Sequence, residues 1–345
     1  MRTKLIIAVA ALQVLVLAYM AGEREWVVRT GRTIYLRTAP IDPRDAMRGD
    51  YVRFTYEISR VPRSLCRGRL AATNETFETL PRDTKVYAAL RENEHGQGEL
   101  VALSLEPPAD GLYLRGRTEH SWGGNLQVRY GLEAFFMEQG KGLELEKGRS
   151  RDGIQVPLEM KVAVSRGGLA VLKDYRWSAL GIGLDLETKE VAGANNRRQR
   201  QTVAATVRLL NASSNDLAIV DLPGGRSLAL VPDAQWGDTT WRWSHESEAQ
   251  PAPEPGHVLV LKPGQVHAIK VTFDDPVWSV TKREAERTAK PAPIKLADLP
   301  QDWSARFRLE YRPPVRAACA HLPDASLIWH GRLPSRAFNP GGNVD

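Results

Sequence analysis

Apolar and polar positions along the chain fall into two regimes. From Leu5 to Ala21 the run LIIAVAALQVLVLAYMA carries no charge, with Gln13 its only strongly polar member, and no second uncharged run of that length follows. At about 1.5 Å per residue it makes a helix of about 25 Å, short for a hydrocarbon core of about 30 Å, with Tyr19 and Trp26 placed to sit in the interface. From Trp26 onward the pattern is alternation, as in TIYLR at 33–37, DYVRFTY at 50–56, KVYAAL at 85–90, and the stretches Leu112 to Arg117 and Leu126 to Tyr130. A period of two predicts short half-buried strands, and the prolines at 40, 43, 62, 81, 107 and 108 punctuate them. Lys161 to Val164 and Leu169 to Trp177 flank Gly167-Gly168 and predict a hairpin. In YGLEAFFM at 130–137, Leu132, Phe135 and Phe136 fit one face of a helix as well as they fit a strand.

A polar stretch with Asn195, Asn196, Arg197, Arg198 and Arg200 then predicts a linker over 186–201. Beyond it come seven short apolar segments: Thr202 to Leu210, Asp216 to Asp221, Ser227 to Val231, His257 to Leu261, Val266 to Phe273, Ala305 to Tyr311 and Ser326 to Trp329. With turn chemistry such as SSND at 213–216 and LKPGQ at 261–265, they predict an immunoglobulin-like β-sandwich over 202–345. Two insertions are expected in it, a Trp-rich then Pro-rich loop from Gln235 to Pro255 and a charged piece, Thr281 to Lys290, that fits a short helix. The expected class is therefore mainly β: a transmembrane helix within 1–22, an all-β domain over 23–185, the linker, and the sandwich.

Met1, Arg2 and Lys4 ahead of the apolar run, with Glu23 and Glu25 after it, give the form of an export signal. Signal peptidase needs small residues at minus three and minus one. Cutting after Ala21 puts Tyr19 at minus three, and cutting after Ala18 puts Val16 there and takes the cut into the apolar run. An uncleaved signal anchor is expected, with a cleaved peptide as the alternative, and the lipid bilayer is the partner of residues 5–21. Arg24, Arg29, Arg32 and Arg37 outnumber Arg2 and Lys4. The short basic tail before the apolar core nevertheless predicts an N-in orientation, with the β domains outside the cytoplasm.

Charge and composition change this picture little. Of 345 residues 42% are hydrophobic and 26% charged, which excludes a disordered, collagen-like or polytopic membrane chain. The 47 Lys and Arg against 41 Asp and Glu leave +6, dispersed over arginines 24–69, RRQR at 197–200 and KREAER at 282–287. Such a surface is mostly solvated, with a bias toward the membrane end, where it can meet anionic headgroups. Nucleic acid is not an expected partner, because that requires cations gathered on one face and the export signal argues against it.

The stretch DPRDAMRGDYVRFTY at 42–56 resembles the signature of the GDYXXLXY family of bacterial membrane-anchored proteins, with Phe54 in place of the leucine. YGLEAFFMEQGKGLELE at 130–146 and MKVAVSRGGLAVLKDYRW at 160–177 fit the same resemblance, which covers about residues 5–180. It implies one N-terminal membrane segment, an extracytoplasmic domain, a place in the bacterial inner membrane with the C-terminal domains in the periplasm, and a polytopic inner-membrane protein as companion. It carries over no activity. The candidate motif residues are Gly49, Asp50, Tyr51, Phe54 and Tyr56. Gly49 supplies a turn before the strand, Asp50 is placed to accept backbone N–H bonds, and Tyr51 and Tyr56 have opposite parity. The expected role is a turn and strand that hold the fold.

Catalytic chemistry finds no footing. Met47 followed closely by GDYV in a β-rich anchored chain also resembles the type I signal peptidase family, but Ala46 stands where its serine would be, which leaves Lys85 nothing to deprotonate. The seven histidines include no pair four residues apart, and no GxSxG, Walker loop or GxGxxG occurs, so no catalytic residue, metal ligand or cofactor is assigned. Cys66 and Cys319, the two cysteines, are expected as packed thiols, with a disulfide as the alternative in an oxidising compartment. Trp236, Trp241, Arg242 and Trp243 are candidate contacts to a glycan or protein partner, or a loop folded over the end of the sandwich. The expected function is a non-enzymatic, membrane-anchored envelope protein that contacts another membrane or envelope component. The alternative is an envelope hydrolase or a catalytically empty relative of the signal-peptidase fold.

Overall fold

The structure, a computed structural model, describes residues 2–39, 51–71, 80–122, 125–136, 150–192, 198–233, 240–283, 292–299 and 305–344. The chain is mainly β and forms two compact units. One comprises Met1–His120, Leu126–Gln139 and Glu159–Arg176; the other comprises Ser121–Asn125, Gly140–Leu158 and Trp177–Asp345.

The first unit begins with the helix Arg2–Thr30, the one helix among the described residues long and apolar enough to cross a membrane. It runs past the predicted end at 22. Glu and Arg are good helix formers, and Glu25 pairs with Arg29 one turn on at 2.7 Å, so the polar continuation stays helical. Val27 in that continuation is buried, Lys173 Nζ donates to the Val28 carbonyl at 2.9 Å, and the helix ends at Gly31. Chain alternation then builds two sheets. In the first, Arg32–Arg37, Leu158–Val164 and Ala170–Trp177 lie side by side, the predicted Gly167-Gly168 turn joining the last two. In the second the order is Arg60–Pro62, Asn125–Arg129, Leu112–Trp122, Lys85–Glu92, Gly98–Ser104. Ile34, Leu36, Val86, Ala88, Leu114, Leu126, Met160 and Val162, at alternate positions of their strands, make the core. The ambiguous segment resolves as strand: Ala134–Phe136 pairs antiparallel with Tyr51–Arg53.

In the second unit a long hairpin, Leu180–Ala192 with Arg198–Asn211, continues on one side to Val266–Thr272 and on the other to Ile154–Gln155 and Ser150–Arg151. Residues expected as the linker are therefore the outer half of this hairpin, with Glu190 opposite Arg200 and Lys189 opposite Gln201; residues 193–197 lie outside the described set. Strands with polar side chains on both faces share their composition with linkers; the two compact units divide at 176/177, with the described residues 150–158 also in the second unit. Leu217–Val220 pairs with Val258–Leu261, and Leu228–Pro232 with Phe307–Tyr311 and then Leu333–Pro334. The two stretches expected as separate insertions pair with each other, Thr240–Trp243 against Ser279–Arg283, so the expected helix begins as a strand; residues 284–290 lie outside the described set. Ser326 to Trp329 forms only an isolated bridge, Ile328 to Ala218. Ile182, Val207, Ile269, Leu230, Phe307, Leu309 and Trp278 share one buried cluster. Pairing is divided among sheets of five, three, three and two strands, so the finding is the β class and the immunoglobulin-like order stays an expectation.

Candidate functional site

Of the motif residues, Gly49 and Asp50 lie outside the described set, and Tyr51 contributes its backbone to the pairing with Phe136. Phe54 and Tyr56 are buried. Phe54 N–H donates to the Glu133 carbonyl at 2.7 Å, and the Tyr56 hydroxyl donates to the Leu132 carbonyl at 2.7 Å. From the other side, the Tyr130 hydroxyl donates to the Ile58 carbonyl at 2.9 Å, while Tyr130 N–H donates to Glu133 Oε1 at 2.6 Å. Two of the three stretches that carried the resemblance thus clasp each other through reciprocal tyrosine hydroxyls. Burial, with Glu133 adding to it, holds both phenols well above the ordinary tyrosine value, so they act as neutral donors. Buried bonds of this kind are expensive to lose, because the carbonyl left behind has no water to turn to.

A second cluster escaped the sequence reading. Glu159 is buried and stands directly opposite Arg37 in the strand register. Its Oε2 accepts from Arg176 Nε at 2.7 Å, its Oε1 accepts from Gln97 Nε2, and Arg37 lies 3.9 Å away. Gln97 Oε1 accepts from Arg37 at 3.2 Å and from Asn93 Nδ2 at 2.9 Å, and the Arg176 guanidinium lies 3.5 Å over the Tyr35 ring. Both carboxylate oxygens are engaged by donors of the chain, so the group ties strands together rather than presenting a base. A charged residue inside the apolar run LEMKVAV was the one signal available.

Among the described residues, two cavities open on the first unit beside the helix. One, about 610 Å³, is lined by Arg24, Lys85, Arg115, Arg117 and Arg129, with Tyr130, Leu169 and Ala170 and a single carboxylate, Glu133. The other, about 770 Å³, is lined by Trp26, Arg32, Tyr113, Val164 and Arg166 among others. Gly168 belongs to the turn beside them: its φ is +75°, its carbonyl accepts from Arg115 N–H at 2.9 Å, and a Cβ there would sit 2.6 Å from the Tyr113 ring. Only glycine fits that turn.

The remaining candidates lie in the second unit or in packed positions. Trp236 lies outside the described residues. Trp243 stacks on Trp278 with ring centroids 6.1 Å apart and donates Nε1–H to the Val277 carbonyl at 2.7 Å; Trp241 is half-buried against the same core. Arg242 is exposed and pairs with Glu246 at 3.2 Å. Cys66 and Cys319 are both buried, each within its own unit, and burial pushes the Cys66 thiol up to about 11 against the opposing pull of Arg63 and Arg67. His267 bonds Asp221 at 2.8 Å, and no serine or cysteine among the described residues is bonded to that ring.

An apolar N-terminal helix that leads directly into a β unit, with the motif strands clasped inside it, defines a β protein whose first helix is fit for a membrane. The comparison that bears on this architecture is a match to the model described as GDYXXLXY protein, over residues 13–174, the part of the chain that carries the motif stretches and is similar to that family. Comparison with curated proteins and with solved structures returned no match.

Proposed function

We propose that the protein is a non-enzymatic, single-pass component of the bacterial cell envelope, held in the inner membrane by an uncleaved N-terminal helix, with both β units on the periplasmic side, and that it works by contacting another membrane or envelope component. The observation that carries this reading is the helix surface. Leu5, Leu12, Leu15, Leu17 and Met20 are 54–68% exposed, and nothing among the described residues covers them. So much apolar surface in one contiguous stretch is stable only in a bilayer or against a partner. The helix is also continuous with residues packed on the first unit, so a bilayer holding it fixes that unit at the membrane surface. A polytopic membrane protein is the partner this placement favours, since such a partner presents its own surface at the same depth.

The test is crosslinking of the intact protein in its native membrane, followed by identification of what it holds. Recovery of a second envelope protein across several crosslinking chemistries supports the reading. Recovery of the chain with nothing but itself refutes the contact. A C-terminal reporter active only in the cytoplasm would refute the orientation.

A further inference from the structure

We infer that the basic recess lined by Arg24, Lys85, Arg115, Arg117 and Arg129 binds the phosphate headgroup of an anionic membrane lipid. This rests on the helix being a membrane anchor. The charge arrangement is costly for the fold alone. Lys85 and Arg117 are direct partners in the antiparallel register, and like charges so placed repel. Arg115 lies two residues before Arg117 in the same strand, hence on the same face. Counter-charge comes from Asp83, Glu119 and Glu133, fewer than the five lining cations. Arg129 pairs with Asp83, and Arg117 donates to the Asp83 carbonyl at 2.7 Å, whereas Arg24 and Arg115 make no ion pair among the described residues. The one lining carboxylate, Glu133, already accepts from Tyr130 N–H.

Arginine forks suit phosphate oxygens, and about 610 Å³ is room for a headgroup rather than a bare ion. Placement selects a lipid. Arg24 lies three residues past the apolar run, about 4.5 Å along the helix, inside a headgroup layer of about 5–7 Å per leaflet. Trp26, 69% exposed and lining the neighbouring cavity, is the kind of residue that sits at that level. Leu169 and Ala170 give the recess an apolar wall for the glycerol end.

The test uses the full chain reconstituted in phosphatidylcholine vesicles carrying a trace of photoactivatable phosphatidylglycerol. Wild type is expected to be labelled in peptides containing Lys85, Arg115 to Arg117 or Arg129, with competition by unlabelled phosphatidylglycerol but not by millimolar inorganic phosphate. Arg115→Gln with Arg117→Gln should weaken labelling about thirtyfold, from about 1 kcal/mol for each cation removed, while the melting temperature stays the same or rises as repulsion is relieved. Arg24→Gln, outside the sheet, should weaken it without touching the fold. Equal labelling in folded variants overturns the site. Competition by inorganic phosphate equal to that by lipid makes it a site for free phosphate and overturns the lipid assignment. An alkaline wash of the same vesicles separates the premises: a chain retained but unlabelled overturns the site alone, and a chain released overturns the anchor with it.

Discussion

Replacing Tyr56 with phenylalanine removes one oxygen from a position with no exposed surface and leaves the Leu132 carbonyl, its partner at 2.7 Å, without a donor. The expected cost is about 1–3 kcal/mol, the range for stranding a buried acceptor, because the ring still fills its volume. Tyr130→Phe does the same to the Ile58 carbonyl and should cost a similar amount. Both hydroxyls tie the segment around 54–58 to the segment around 130–133, so once either tie is cut the other holds a looser pair. The two costs should then fall short of additivity by about 0.5 kcal/mol or more in the double variant. Hydrogen exchange read at Phe54, whose N–H bonds Glu133 across these segments, and at Ala39, whose N–H bonds Thr55 beside them, reports this region separately from the second unit. Single variants within about 0.3 kcal/mol of wild type at those amides would refute the clasp.

Three further outcomes follow from the same structure. Tyr56 and Tyr130 keep their protons when folded but lose them near pH 10 when unfolded, so the unfolded state binds fewer protons above that value; stability should be flat below about pH 9 and fall by about 1.4 kcal/mol per pH unit per tyrosine above about pH 10, a decline that Tyr56→Phe makes shallower in an alkaline titration of urea unfolding. Glu159→Gln takes the carboxylate from between Arg37 and Arg176 and should destabilise the first unit by about 3–5 kcal/mol in denaturant unfolding, with a loss under about 1 kcal/mol contradicting the network. With its thiol at about 11, Cys66 ionises about one time in a thousand at pH 8, against about one in ten at the ordinary value of 9.0, so a thiol reagent should modify it at least about a hundredfold more slowly in the native chain than in urea.

What was legible in the sequence had a one-dimensional signature. The uncharged run from Leu5 gave the helix, and alternation around Ile34, Val86 and Leu126 gave the strands and their buried faces. The motif stretches at 50 and 130 were visible as strings, but their mutual clasp was not, since hydroxyl-to-carbonyl bonds over more than 70 positions leave no local trace. The continuation of the helix to Thr30 was hidden because Glu23, Arg24 and Glu25 break the apolar pattern without breaking the helix. Two-sided polarity hid the hairpin around Glu190 and Arg200 as a linker. The basic recess was also hidden: Lys85, Arg115 and Arg129 read as the polar half of separate strands, and only strand pairing brings them to one wall.

The central claim is that the N-terminal helix stays attached and holds the β units at a membrane. It is tested most directly by the intact mass of the protein recovered from alkali-washed membranes of cells that express it. A chain that retains Leu5 to Ala21 and stays with the membrane is the predicted result. A chain that begins after Ala18 or Ala21 and is recovered in the soluble fraction would contradict the account.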